Sequence, residues 1–72
     1  MTTVYLLEEY DESYDRTEVI ACFAKYPTIE NISRAIIFEI SDDMIYELLD
    51  TGRLELAIPY ITYSITPMEL IK

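Results

Sequence analysis

Histidine and tryptophan are absent from this 72-residue chain, and cysteine and glycine each occur once. Without histidine, neither a Ser–His nor a Cys–His couple can form, and the usual zinc ligand sets cannot be assembled. The lone Cys22 excludes an internal disulfide, and its apolar neighbours predict a small buried thiol. A single glycine is too few for the loops that cradle phosphates. We therefore expect a protein that is not an enzyme.

The segment EEYDESYDR, residues 8–16, is the densest group of carboxylates and the natural place to look for a metal site. Calcium takes about six to eight oxygen ligands, and its known loop spaces them on a fixed ladder with a glycine at the bend. The segment has neither that ladder nor that glycine. The sequence therefore predicts no metal and no cofactor.

Basic residues are scarce: the chain has five Lys and Arg against fourteen Asp and Glu, which gives a net charge of −9. Nucleic acids and anionic membranes are bound through Lys and Arg, so neither is expected as a direct ligand. A basic protein partner is favoured instead. No apolar run approaches the roughly 20 residues that span a bilayer, and no signal peptide is recognisable, so we expect a cytoplasmic protein.

The short chain predicts a single domain, residues 1–72, with a small core. A domain of this size buries only roughly 60% of the surface that its unfolded chain exposes. Half of the residues are hydrophobic, which is typical of a globular protein. Because no disulfide or metal is expected to brace so small a core, a homodimer is a natural way to enlarge it.

Two β-rich runs, residues 3–7 and 18–24, flank the acidic segment, which predicts a hairpin with an acidic tip. Alternation in the second run predicts two faces, with Val19, Ala21 and Phe23 on one and Ile20 and Cys22 on the other.

Two short helices are predicted next. Thr28 is a candidate N-cap, and isoleucines at i, i+3 and i+7 predict an amphipathic helix that ends near Ile36 or Ile37. Ser41 followed by two aspartates predicts the start of the second helix, because the helix dipole favours acids in the first turn. Gly52 suits the left-handed position that ends it. The predicted buried stripe of this helix is Met44, Ile45, Leu48 and Leu49.

The last third of the chain alternates again. Residues 54–58 form a candidate short strand that Pro59 interrupts, and residues 60–65 form a longer one that Pro67 is expected to break or bulge. The predicted class is α+β: a small antiparallel sheet of three or four strands with two short helices on one face, in the order ββααβ.

This pattern resembles a class of short bacteriophage-encoded proteins. The resemblance rests on the Tyr/Asp-rich tip, on Pro27-Thr28 before the first helix, on the segment 48–53 that ends the second helix, and on Met68-Glu69-Leu70 after an aromatic strand. It implies a phage or prophage origin, and hence the cytoplasm of a host cell. The class carries no activity to transfer.

Acidic side chains form two groups. Six of the fourteen acids lie between Glu8 and Glu18, and three more recur at i, i+4 and i+7 on the outward face of the second helix. Tyrosines beside both groups add the flat contact area that is typical of binding hot spots. The predicted partner-binding residues are Glu8, Glu9, Tyr10, Asp11, Glu12, Tyr14, Asp15, Asp43, Tyr46, Glu47 and Asp50.

Two functions remain open from the sequence. In the first, the carboxylates mimic nucleic acid, and the chain is a phage-encoded inhibitor of a nucleic-acid-handling host protein, as in anti-CRISPR or anti-restriction activity. In the second, the acids serve only solubility, and the chain is an assembly module that self-associates through a sheet edge or the Ile20/Cys22 face. Whether the two acidic groups share one side of the fold bears directly on the choice.

Overall fold

A computed structural model describes residues 2–37, 40–57 and 60–71. The strands and helices follow the predicted order ββααβ, and the candidate short strand before the last one is present. The elements are β1 (Thr2–Asp11), β2 (Arg16–Phe23), α1 (Ile29–Ala35), α2 (Asp42–Thr51), β3 (Arg53–Glu55) and β4 (Ile61–Leu70). All neighbouring strands are antiparallel in the order β2-β1-β4-β3, which confirms the α+β class.

Both helices pack on one face of the sheet and form a single core with it. Leu7 and Tyr63 are fully buried on the central strands, and Ile32 and Leu48 are fully buried on the two helices. The other face of the sheet, which we call the open face, carries the alternate side chains of the same strands. The complete core is Leu7, Ile32, Ile36, Ile45, Leu48, Leu54, Ile61, Tyr63 and Ile65.

Helix α2 begins and ends where its sequence signals predict. The Ser41 hydroxyl accepts a hydrogen bond from the Met44 N–H, and Gly52 ends the helix with a φ of 80°. Helix α1 begins at a capping box in which Thr28 and Asn31 satisfy each other's backbone N–H groups. The predicted buried stripe of α2 is wrong at Met44, which is 42% exposed because it lies at the border of the arc that faces the sheet.

A β-bulge in β2 changes which of its side chains face the core. Leu7 lies opposite Ala21 and Glu8 lies opposite Val19, so Ile20 is an extra residue in the ladder. Ile20 and Ala21 both pack against the core, whereas Val19 is 56% exposed on the open face. The predicted alternation is therefore wrong for Val19 and Ile20, because the bulge shifts the period of two by one residue.

Cys22 is exposed, since it lies on the open face opposite Leu6. The prediction of a buried thiol is therefore wrong. The neighbours Ala21 and Phe23 pack against the core, whereas Cys22 lies on the opposite face of the sheet.

Strand β4 does not break at Pro67 but continues through it to Leu70. The Ile65 N–H donates to the Gly52 carbonyl on the β3 side of β4. Residues two apart on a strand direct their backbone nitrogens to the same side, so the Pro67 nitrogen, which has no hydrogen, also faces the β3 side. Strand β3 begins at Arg53, opposite Ser64, so it does not extend alongside Pro67 and requires no N–H from it. Of the strand predicted over 54–58, the structure shows β3, while Ile58 and Pro59 lie outside the described residues.

Candidate functional site

The hairpin tip is fixed by its own polar side chains. The Ser13 N–H donates to Oδ1 of Asp11 at 2.9 Å, which forms an Asx turn. Asp15 has a φ of 48°, a left-handed conformation that aspartate tolerates. The Tyr10 hydroxyl donates to Oδ1 of Asp15 at 2.7 Å. This hydrogen bond and the surrounding carboxylates raise the pKa of Tyr10. The tip therefore presents its carboxylates in a defined arrangement.

The acids of β1 are divided between the two faces of the sheet. Leu7 faces the helices, so Glu9 and Asp11 lie on the helix side, while Glu8 and Tyr10 lie on the open face. A single groove running along one face therefore meets only part of the predicted tip set.

On the helix side, three carboxylates line one depression of about 430 Å³. Glu9 lies directly opposite Glu18, and Asp11 lies directly opposite Arg16. Facing like charges destabilise a sheet by a few tenths of a kcal/mol, and the exposed Arg16–Glu18 ion pair at 3.0 Å offsets part of this. We call this the acidic depression; its lining residues are Glu9, Asp11, Tyr14, Arg16 and Glu18.

The buried Tyr63 hydroxyl lies beneath the same part of β1. Tyr63 is paired directly with Glu9 across β1 and β4, and its side chain is fully buried. In the described part of the chain its hydroxyl has no hydrogen-bond partner of normal geometry. Burial first, and then the nearby Glu9 carboxylate, raise the pKa of Tyr63. The hydroxyl therefore stays protonated near the Glu9 carboxylate.

The acidic row of α2 lies over the other half of the sheet. Asp43, Glu47 and Asp50 are exposed, as is Tyr46 between them. Helix α2 packs on β3 and β4, and Glu47 lines a depression with Arg53. Strands β2 and β3 are opposite edges of the sheet, about 14 Å apart at the usual strand spacing.

The predicted residues therefore fall into three groups. One is the acidic depression over β1 and β2, and one is the row on α2. The third lies on or beside the open face, where Glu8, Tyr10 and Glu12 are found together with Asp15, the hydrogen-bond acceptor of Tyr10. Arg16 and Glu18 belong to the depression but not to the predicted set. The hairpin register would have identified them, because they lie opposite Asp11 and Glu9.

Arginines do little to interrupt the negative surface. Arg16 pairs with Glu18, Arg34 with Glu30, and Arg53 with Glu55 at 2.7 Å, and all these groups are largely exposed. Each arginine therefore neutralises an acid on its own element.

A second concavity, of about 670 Å³, lies on the open face near the tip. Its floor is formed by paired residues of three neighbouring strands, Tyr10 on β1, Thr62 on β4 and Glu55 on β3. Tyr60 borders it with a φ of 69°, a strained conformation for a tyrosine. The further lining residues are Glu12, Arg53, Leu56, Ala57 and Ser64.

Neither a cation-binding cluster nor a known relative points to a chemistry. Within residues 2–37, 40–57 and 60–71, no three acidic or thiol side chains are arranged to hold a metal ion. Among these same residues, the helices are too short and too polar to cross a bilayer. No protein-family model, curated protein or solved structure matches the chain.

Proposed function

We propose that this chain is a non-enzymatic binding protein that engages the basic surface of a nucleic-acid-handling protein. The observation that carries the proposal is the acidic depression, in which Glu9, Asp11 and Glu18 converge beside the exposed ring of Tyr14. A basic surface contacting these groups relieves the repulsion between Glu9 and Glu18 and gains charge-assisted contacts.

The geometry favours a partner built for nucleic acid. Glu9 and Asp11 are two residues apart on one face of β1, so their carboxylates recur after about 6.8 Å. A row of negative charge on an extended, fixed backbone matches a groove lined with Lys and Arg. Tyr14 adds amphipathic contact area at little entropic cost. The depression therefore acts as a short substitute for a phosphate backbone.

The sequence resemblance implies a bacteriophage source, and this source suggests a biological role for the binding. A phage protein that occupies a basic groove blocks host defence, so the proposed partner is a CRISPR effector, a restriction enzyme or a similar host protein. In that role the chain acts in the host cytoplasm and needs no cofactor.

Capture from bacterial lysate tests the proposal. The parent chain is compared with a variant that neutralises the depression, Glu9→Gln/Asp11→Asn/Glu18→Gln. The matched control, Asp43→Asn/Glu47→Gln/Asp50→Asn, removes the same three charges from α2. We expect the parent and the control to retain a basic nucleic-acid-binding protein that added salt or DNA releases, and the depression variant to lose it.

Two results would overturn the proposal. One is capture of only acidic or neutral proteins, and the other is binding that is insensitive to salt. Equal loss of capture in both variants would show that net charge, and not the depression, determines binding.

A further inference from the structure

The half of the open face away from the hairpin tip is apolar. Val4 lies opposite Met68, and Leu6 lies between Cys22 on β2 and Thr66 on β4. Met68 is 46% exposed and Leu70, farther along β4, is 43% exposed. The described side chains of this part, Thr2, Val4, Leu6, Cys22, Thr66, Met68 and Leu70, carry no formal charge. On a chain with a net charge of −9, this uncharged half is unusual.

The other half of the open face is polar and ordered by the register. Glu8, Ser64 and Arg53 lie side by side on β1, β4 and β3, so a negative and a positive side chain flank a neutral one. The order of the three is fixed by the strand pairing and does not depend on a flexible loop.

We propose that the open faces of two copies of this chain pack against each other about a two-fold axis that runs parallel to the strands, between β1 and β4. This axis exchanges β1 with β4, so each Val4 stacks on Met68 of the second copy. It also places each Glu8 over Ser64 of the second copy and one strand away from Arg53 of that copy. Apolar groups meet apolar groups, and each Arg53, which pairs with Glu55 of its own chain, is also brought near Glu8 of the second copy.

Charge complementarity selects a second copy as the occupant. Glu9, Asp11 and Glu18 lie on the helix side, and the row on α2 lies above the helix layer, so these acids point away from the proposed interface. Two copies therefore approach through the part of the surface where their mutual repulsion is weakest. The carboxylates on or beside the open face, Glu8, Glu12 and Glu55, all lie in the half near the tip, so the described side chains of the apolar half offer a basic partner no carboxylate.

The area of the face sets the expected strength. The four strands contain 31 residues, which at about 3.4 by 4.8 Å each present on the order of 500 Å² per copy. Two copies then bury roughly 1,000 Å², which is the lower end of specific interfaces. The dimer is consequently weak and depends on concentration. Pairing through the outer edge of β4 is less favourable, because Pro67 supplies no N–H there.

Sedimentation equilibrium over a range of protein concentrations tests this proposal. We expect a reversible monomer–dimer equilibrium that Met68→Glu weakens at least tenfold. The matched control is Ile37→Glu, which makes the same kind of change at a residue that is 87% exposed outside the sheet, and it leaves the equilibrium unchanged. Leu70→Lys is a second variant of the face with the opposite charge, and circular dichroism confirms that each variant is folded.

Charge reversal tests the orientation. Glu8→Arg and Arg53→Glu each weaken the dimer several-fold, whereas the double variant restores it, because the reversed charges again face each other. A chain that stays monomeric up to millimolar concentration overturns the proposal. So does a dimer that Met68→Glu does not affect, or one that the double reversal fails to restore.

The dimer and the proposed function fail independently. Neutralising Glu9, Asp11 and Glu18 leaves the dimer intact if the open face forms it. Met68→Glu leaves capture of a basic protein intact if the acidic depression binds that protein.

Discussion

At the scale of single residues, Tyr63 is the side chain with the most unusual environment. It fills the centre of the core, yet its hydroxyl is buried without a partner of normal geometry in the described part of the chain. An unsatisfied buried hydroxyl costs about 1–3 kcal/mol. The aromatic ring therefore stabilises the fold while the hydroxyl opposes it, and the two contributions can be separated by substitution.

We predict that Tyr63→Phe removes part of the alkaline instability of the protein. The pKa of Tyr63 is raised in the fold, whereas an unfolded tyrosine titrates at about pH 10. Above about pH 10 the unfolded chain releases a proton that the folded chain retains, so stability falls as the pH rises further. Phenylalanine has no such proton. Urea unfolding from pH 8 to 11 should show a flatter decline for the variant.

At pH 7, Tyr63→Phe should be at least as stable as the parent chain, with a gain of about 1 kcal/mol. Tyr14→Phe is the matched control, because that ring is exposed at the tip. A variant that declines with pH as steeply as the parent would contradict the assignment of the alkaline loss to Tyr63.

At the scale of elements, α2 is held by signals that lie next to each other in the sequence. Ser41 caps its first turn, and Gly52 adopts the left-handed conformation that ends it. The Gly52 carbonyl then accepts the Ile65 N–H, so the end of the helix also fixes the start of β3 against β4. Gly52 therefore serves both α2 and β3. It does so through its left-handed backbone conformation and not through its small size.

We predict that Gly52→Ala destabilises the fold by about 1–2 kcal/mol, because alanine must adopt a φ of 80° there. A Cβ at this position comes no closer than 3.7 Å to the Ile65 carbonyl oxygen, so the cost is conformational and not steric. Gly52→Asn should lose less, since asparagine tolerates this region better. Denaturant midpoints of the three proteins provide the measurement, and an alanine variant as stable as the asparagine variant would refute the argument.

Helix α2 and the order of elements could be predicted because their signals are local. Caps, apolar spacing and turn residues act within a few positions. The bulge at Ile20 could not be predicted, because it depends on how β2 pairs with β1. The exposure of Cys22 and the lining of the acidic depression depend on the same register, so the sequence identified the acids at the tip but not which of them converge.

At the scale of the whole molecule, the net charge of −9 acts on stability as well as on binding. Most of the acids that the structure describes lie on the hairpin, on α2 and on β3, so folding brings like charges together across the small molecule. This repulsion is long-ranged at low salt, where the screening length is about 30 Å at 0.01 M, and is short-ranged near 1 M.

We predict that raising the NaCl concentration from 10 to 500 mM increases the melting temperature. The control variant, Asp43→Lys/Asp50→Lys, changes the net charge from −9 to −5, because each replacement adds two units. Its melting temperature should respond less to salt, since less repulsion remains to be screened. Equal responses of the two proteins would mean that salt acts through apolar burial instead.

The arrangement of the two central strands also sets the order in which the molecule can fold. Strands β1 and β4 pair along their whole length, from Thr2 opposite Leu70 to Asp11 opposite Ile61, although some fifty or more residues separate the partners in the chain. The β1–β2 hairpin can close early, but the inner edge of β1 must wait until the last strand has been synthesised. Pairings of such long sequence separation are slow to form, on a timescale of milliseconds to seconds in sheets dominated by them. The pairing of β1 with β4, which brings the strands of Leu7 and Tyr63 together in the core, is therefore expected late in folding.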